Sequence, residues 1–401
     1  METIYIVLAI IACVLLFSFA VFIHEFGHFV AAKLLGFKVE VFSIGFGPAL
    51  WKKTYKGVEY RISAIPFGGY VALPQLDPEG TKAIENGNAK PDDAKPAEGE
   101  DAGANPATPL RRIIVAFAGP FGNIVLAVVL AFALAAVPGA HFGETPAEIG
   151  SVLEGGPAAK GGMQAGDKVL SVNGRAVRSW SEMQVEVQIA DTSPATFVVD
   201  RAGEKKTLTI TPLRDKTTDA CFILAFGSTN NLVKAAAWMP NRNPVKQLVW
   251  DAGQIARVLK ALCTPRESKA AAKAIGGPVL IAESLYRQVR RNGWDAIGFL
   301  RFLNVNLAIL NLLPIPILDG GLIFFALFEL LTRRKPPKKL VDGLSIVFMW
   351  LFLALMIFLV FRDVGRSSRI HSAERDFKKQ QQLEREEAER AWNFRPAFDL
   401  K

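Results

Sequence analysis

The sequence predicts a polytopic α-helical membrane protein of about four transmembrane helices, with a membrane-associated β region after the first helix and an α+β domain inserted between the second and third. Three observations carry this. Uncharged runs recur at Ile4–Ile23, Ile113–Val137 and Leu344–Phe361, each close to the roughly 20 residues a helix needs to cross a hydrocarbon core of about 30 Å. A further stretch, Ile297 to Leu331, is mostly apolar but is interrupted by Arg301, several asparagines, two prolines and Asp319-Gly320-Gly321. Half of the 401 residues are hydrophobic and are unevenly spread, which excludes a single soluble domain.

The first span ends in His24, Glu25, Phe26, Gly27 and His28. Two histidines four residues apart share one face of a helix and can hold a single Zn²⁺, and the glutamate between them can take a proton from the water that the metal activates. An ionisable side chain at bilayer depth costs roughly 2.5 to 3.5 kcal/mol on insertion scales, so Glu25 implies a polar partner or a water-filled cavity there. The alternative is a helix with two incidental histidines; the chain has only four histidines, and two of them take this spacing.

The net charge of +9 does not point to nucleic acid, because the basic residues gather beside the spans. Lys33, Lys38, Lys52, Lys53, Lys56 and Arg61 follow the first span, Arg111 and Arg112 precede the second, and Arg333, Arg334, Lys335, Lys338 and Lys339 join the third to the fourth. The excess of basic residues on cytoplasmic loops puts these segments inside, and the termini and the long region between spans two and three outside. Arg362, Arg366 and Arg369 after the last span argue the other way. Three cysteines give no disulfide framework. The N-terminal run lacks a basic leader region and a small-residue cleavage site, so it reads as a retained span.

After the zinc motif, residues 1–73 close with a glycine-rich, aromatic and β-branched stretch broken at Gly45-Phe46-Gly47-Pro48 and Pro66-Phe67-Gly68-Gly69-Tyr70. It reads as short strands beside the site, either a plain connecting hairpin or an edge that binds an extended peptide. Residues 74–110 are acidic and proline-rich with little to bury, a disordered linker. The second span, in 111–140, opens with Gly119-Pro120-Phe121-Gly122-Asn123; small residues let helices approach closely, and Asn123 either glues the bundle or orients a site residue.

Residues 147–215 read as a compact α+β domain. Ile149 to Leu153 and Lys168 to Val172 are strands, Pro157 opens a short helix, a helix follows around Ser181 to Ile189, and Thr196 to Asp200 and Lys206 to Thr211 form a hairpin about Ala202-Gly203. The run Gly-Pro-Ala-Ala, Gly-Met-Gln-Ala-Gly-Asp, Ser-Val-Asn-Gly resembles PDZ domains of the bacterial protease type. Such domains bind extended peptides in a groove, so contact with a peptide or with a substrate ectodomain is expected, by capture or by size exclusion. Residues 216–293 carry amphipathic helices that lie on the outer membrane surface or pack on the inserted domain. Residues 294–361 hold the broken third and the fourth spans, and 362–401 form a charged tail.

A catalytic zinc usually has three protein ligands and an open position. The best candidate for the third is Asp319, in Asn311-Leu312-Leu313-Pro314-Ile315-Pro316-Ile317-Leu318-Asp319-Gly320-Gly321, since a lone aspartate at membrane depth is costly unless coordinated. With these elements in order, the chain resembles the site-2 protease family of intramembrane zinc metalloproteases, in its bacterial regulator-of-sigma-E type with a PDZ insert. The resemblance implies Zn²⁺ held by His24, His28 and Asp319, Glu25 as catalytic base, Asn306 and Asn311 facing the substrate helix, and strand addition at Gly68, Gly69 and Tyr70. Asn123 and Pro314 belong to the same motifs as site-supporting residues. It also implies single-pass membrane proteins as substrates, among them anti-sigma factors or remnant signal peptides, and a bacterial inner-membrane location with the PDZ-like domain extracytoplasmic and the active site near the cytoplasmic side. The chain departs from the pattern in showing one PDZ-like domain rather than two, in Leu322 where a histidine often follows Leu-Asp-Gly-Gly, and in the acidic linker. A non-catalytic adaptor with a vestigial zinc site and a zinc transporter are the rival readings. Intact ligands with Glu25 oppose the first, and polar groups gathered at one level oppose the second.

Overall fold

A computed structural model describes residues 2–74, 107–137, 146–214, 221–223, 225–227, 243–291 and 293–393. Most of the acidic linker read from the sequence, 75–106, lies outside them, as do 394–401. The chain divides into two compact units, one built from residues 1–143, 238–259 and 282–354, the other from 144–237, 260–281 and 355–401.

The first unit begins with α1 (Glu2–Leu34), which runs into strands β1 (Val41–Tyr55) and β2 (Val58–Ala72) and then α2 (Pro109–Ala136). The β1–β2 register is irregular: Val41–Ile44 has partners in Glu59–Ile62 and also in Gly69–Ala72, while Ala49 to Tyr55 pairs back on Val58 to Ser63. The two strands therefore make a small sheet of four short segments with Gly69–Ala72 on its outside. Phe42 in β1 meets Phe22 edge-on at 5.9 Å and Phe29 at 5.2 Å, and Tyr60 meets Phe29 at 6.1 Å. This aromatic packing fixes the sheet to the C-terminal half of α1.

α2 is the central helix, packed by α1 on one side and by α8 (Gly293–Asn311) and α9 (Asp319–Thr332) on others. Gly27 of α1 explains the close approach of α1 to α2: a Cβ there would lie 2.2 Å from the carbonyl oxygen of Ala118. Arg112 at the start of α2 is ion-paired with Glu329 near the end of α9. Among the described residues three helices are candidate spans by length and apolar composition, Ile4–Leu34, Pro109–Ala136 and Lys338–Ser368. The broken stretch is resolved into α8 and α9 joined by Leu312–Leu318. Pro314 lacks an N–H to continue α8 and disfavours helix in the residue before it, which ends the helix there.

The second unit holds a four-stranded antiparallel sheet in the order β5 (Arg175–Ala176), β4 (Lys168–Val172), β6 (Ala195–Arg201), β7 (Glu204–Ile210). Two small pairs complete it: β3 (Ile149–Val152) with β10 (Ala225–Gly227), and β8 (Leu213–Arg214) with β9 (Cys221–Phe222). The turns follow local chemistry, with Asn173-Gly174 and Ala202-Gly203 at positive φ between paired strands. The short helix α3 (Pro157–Lys160) and the helix α4 (Trp180–Ala190) cover a core of Ile149, Met163, Val169, Val172, Met183, Phe197, Val199 and Ile210. Cys221 and Ile223 join this core, so the unit continues past residue 215. None of the three cysteines is in a disulfide.

The second unit also contains the end of α5 (Pro244–Cys263), α6 (Ser268–Ala274) and the start of α7 (Pro278–Arg291). Ala261 and Ala271 pack on Ile189 of α4, and Arg175 pairs with Glu267 at 3.0 Å. α10 (Lys338–Asn393) enters this unit with Arg362 and Asp363. Arg362 donates to the carbonyls of Ala272, at 3.1 Å, and of Ile275, while Asp363 accepts from the N–H of Leu280 at 3.1 Å. A cation at the C-terminus of α6 and an anion at the N-terminus of α7 suit both helix dipoles. Arg362 thus has a structural task that its position after the last span did not reveal.

Asp167 is fully buried and takes two bonds from Arg201, at 2.6 and 2.7 Å, and one from the N–H of Gln164 at 2.9 Å. Burial alone would raise its carboxyl, but these donors outweigh burial and hold it below the ordinary value. A depressed folded-state value stabilises above the unfolded carboxylate range, about 3.9, and the benefit is lost as pH falls through the folded value. Asp167→Asn is therefore expected to cost the unit about 2 kcal/mol near neutrality, read by hydrogen exchange of the Phe197 and Val199 amides in the full chain. The gap between variant and wild type should close in acid.

Candidate metal centre

α1 carries His24 and His28 on one face, and the turn after α8 brings Asp319, the first residue of α9, against them. His24 Nε2 lies 3.2 Å from Asp319 Oδ2, His28 Nε2 lies 3.4 Å from Asp319 Oδ1, and the two Nε2 atoms are 3.4 Å apart. Ligands about 2.0 to 2.1 Å from a tetrahedral zinc stand roughly 3.3 Å from each other. The two Nε2 atoms, and each Nε2 with its nearer carboxylate oxygen of Asp319, stand at about that spacing, and the three residues form a cluster that could hold a metal ion.

Hydrogen bonding outside the cluster fixes which nitrogen faces inward. His28 donates from Nδ1 to the carbonyl of Val115 at 2.8 Å, which leaves Nε2 as a lone pair. His24 Nδ1 lies 3.1 Å from the amide nitrogen of Asn123, whose amide oxygen is buried without a hydrogen-bond partner. Turning that amide over lets His24 Nδ1–H donate to the oxygen and satisfies both groups. Two imidazole lone pairs then face a carboxylate whose Oδ2 is also buried without a hydrogen-bond partner. Acceptors facing acceptors repel; a cation among them removes the conflict, so the residues fit Zn²⁺.

The profile of peptidase family M50 matches residues 12–355. The chain belongs to peptidase family M50. Relatives include a provisionally named zinc metalloprotease of Campylobacter jejuni, 32% identical over 367 residues that cover 89% of this chain and 93% of the relative. Another is a protease of Enterococcus faecalis provisionally named Eep, 27% identical over 426 residues that cover 89% of this chain and 99% of the relative. A solved PDZ domain of an SdrC-like protein from Listeria monocytogenes covers 22% of this chain and 92% of its own length, at 19% identity and a TM-score of 0.20. The M50 family, that of site-2 proteases, is zinc-dependent, and this M50 protein is a membrane metalloprotease with zinc as its cofactor.

Glycines bring the M50 site together. A Cβ at Gly119 would fall 2.2 Å from His28 Nε2, so α2 offers the imidazole a bare backbone. A Cβ at Gly69 would fall 2.9 Å from Glu25 Cγ, which puts the outer sheet segment directly against that side chain. Gly320 lets α9 begin close under the turn, where a Cβ would meet the Leu313 carbonyl at 2.2 Å. Neither Gly119 nor the Val115 carbonyl was singled out from the sequence. Gly119 lies within the quoted Gly-Pro-x-x-Asn element, whereas a backbone carbonyl leaves no sequence signal.

The remaining residues named from the sequence are placed as follows. Asn311, the last residue of α8, brings its amide nitrogen to 3.4 Å from His24 Nε2. Asn306 donates its amide to the carbonyl of Phe302, one turn back on its own helix, at 2.8 Å. Tyr70 accepts from Arg61 at 3.0 Å and stacks on Phe46 with centroids 6.3 Å apart. Gly68, at φ +112, has the Phe46 ring where a side chain would be. Pro314 sits in the turn between α8 and α9.

Asn123→Leu and Gly119→Ala are each expected to lower zinc affinity about 10- to 100-fold, measured by titration against a competing chelator. Asn123→Asp, which still accepts from His24, should stay within a few-fold of wild type.

Proposed function

We propose that this chain is an intramembrane zinc endopeptidase that cuts transmembrane segments of single-pass membrane proteins already shortened by an earlier cleavage, with anti-sigma factors or remnant signal peptides as the substrate class. The observation that carries the reading is the convergence of His24, His28 and Asp319 at zinc-ligand spacing beside Glu25 at the end of an apolar helix. Zn²⁺ held by those three side chains would supply Lewis acidity, polarising the scissile carbonyl and easing deprotonation of water. Glu25 takes the proton from the attacking water and returns it to the leaving amine. Asn311, at the rim of the centre, offers an amide donor to the substrate carbonyl, and Asn306 contacts the substrate helix. Asn123 and Pro314 hold His24 and Asp319 in place.

A helical segment hides its own peptide bonds, so cleavage requires local unwinding. Gly69–Ala72, an outer segment among the described pairings and in contact with Glu25, supports strand addition of the unwound substrate, with Gly68 and Tyr70 shaping the edge. The basic residues around the β1–β2 hairpin and between α9 and α10 support a bacterial inner-membrane orientation with the metal centre toward the cytoplasm and the PDZ-like unit outside. That unit is proposed to contact substrate ectodomains or peptides. The engagement of Arg362 by α6 supports the same side for the end of α10.

The test is cleavage of a model single-span substrate by the purified full chain in detergent. Glu25→Gln should slow cleavage at least about 100-fold while leaving zinc content unchanged, and a chelator should abolish activity until zinc is restored. Equal rates for wild type and Glu25→Gln across several substrates would sink the protease reading; substrate retained uncut by the wild type would favour the adaptor.

A further inference from the structure

Arg301 interrupts the third apolar stretch, and the proposed chemistry does not use it. A guanidinium at membrane depth costs roughly 2.5 to 3.5 kcal/mol unless it is paired. Its partners lie on α5. Arg301 donates from Nε to Asp251 Oδ2 at 2.7 Å and from Nη2 to Asp251 Oδ1 at 3.1 Å, a two-pronged bond, and from Nη1 to Gln247 Oε1. All three are buried: Arg301 is 4% exposed, Asp251 0% and Gln247 4%.

The opposite face of α5 has the reverse character. Val245 and Val249 are 62% and 66% exposed, and Gly253 and Ala256 continue the exposed row. Spacings of four, four and three residues put these positions on one face, while Gln247 and Asp251, four apart, define the other. A helix on the water-facing surface of a protein turns its apolar stripe inward. Here two polar side chains, Gln247 and Asp251, are turned inward and two valines, Val245 and Val249, outward. In water, two exposed valines over a buried aspartate would waste apolar burial worth a few kcal/mol, and rolling the helix over would recover it. In hydrocarbon the same arrangement is the favourable one, because polar groups must be satisfied within the protein.

We propose that the first part of α5, from Pro244 to Ala256, is immersed in lipid beside α8, with Val245 and Val249 against acyl chains, and that the Arg301–Asp251 bond holds it there. Lys246, exposed near the start of this segment, has the reach to take its ammonium to the headgroups. This placement differs from the two read from the sequence, a helix on the outer membrane surface or one packed on the inserted domain. It also gives α5 a place in the bilayer next to the helix that carries Asn306 and Asn311. Arg301 is about 7.5 Å along α8 from Asn306.

The experiment needs no substrate. A nitroxide is attached at Val249→Cys in the full chain, with Cys13→Ala and Cys263→Ser, reconstituted in phosphatidylcholine–phosphatidylglycerol vesicles. Collision with oxygen, which concentrates in lipid, is compared with collision with a water-soluble nickel chelate. Lipid immersion predicts at least a severalfold preference for oxygen. Arg301→Gln and Asp251→Asn should each raise nickel access severalfold, and the exchanged pair Arg301→Asp with Asp251→Arg should bring it back towards wild type. A preference for nickel in the unaltered clamp would place α5 at the aqueous surface and overturn the proposal. Spin–spin broadening between labels would do the same in favour of a second copy of the chain. Unchanged access in both single variants would refute the role given to the clamp.

Discussion

Everything in the membrane unit answers to one electrostatic conflict: two imidazole lone pairs and a carboxylate held within 3.2 to 3.4 Å of each other in apolar surroundings. Such a cluster is unfavourable alone and favourable around a cation, so the protein must hold it in readiness. Val115 and Asn123 set the tautomers from α2, Gly119 gives His28 room, and the proline-containing turn carries Asp319 across to α1. None of these contributions is strong by itself. Together they remove the rotational freedom that would let the three donors drift apart.

The same economy governs how the two halves of the broken span are held. α8 and α9 are each shorter than the candidate spans, and both pack along α2. Each is also fastened by charge: α9 to α1 through Asp319 beside His24 and His28 and to α2 through Arg112 and Glu329, α8 to α5 through Arg301 and Asp251. Polar bonds among helices in lipid are modest in net energy, but they are directional, and direction is what a metal centre built from three helices requires. The β1–β2 sheet is fixed differently, by the aromatic contacts of Phe22, Phe29, Phe42 and Tyr60, and so presents Gly69 to Glu25 without any charge of its own.

The second unit follows the rules of a water-soluble domain. Its core is apolar, its fully buried Asp167 is doubly bonded to Arg201, and its turns carry asparagine or alanine with glycine at positive φ. Arg362 and Asp363 bring a span's end into that setting by satisfying two helix termini at once. The unit reads well from the sequence for this reason: each turn and strand is specified within a few residues.

The sequence by itself determined the local features. The His24–His28 spacing, the apolar runs of about 20 residues, the helix-ending Pro314 and the turns at Asn173-Gly174 and Ala202-Gly203 all arise from contacts a few residues long, where periodicity and backbone sterics decide. It also pointed to Asp319, because an aspartate in an apolar run demands a partner. What only the tertiary structure decided is which groups meet across long separations: His28 with the carbonyl of Val115, 87 residues away, Asn311 with His24, 287 away, and Arg301 with Asp251, 50 away. Amphipathic pattern alone could not orient α5, since the same alternation serves a helix with its apolar face inward in water or outward in lipid. The solvent around the helix and the partner beneath it settle that choice, and neither is encoded in the helix's own residues.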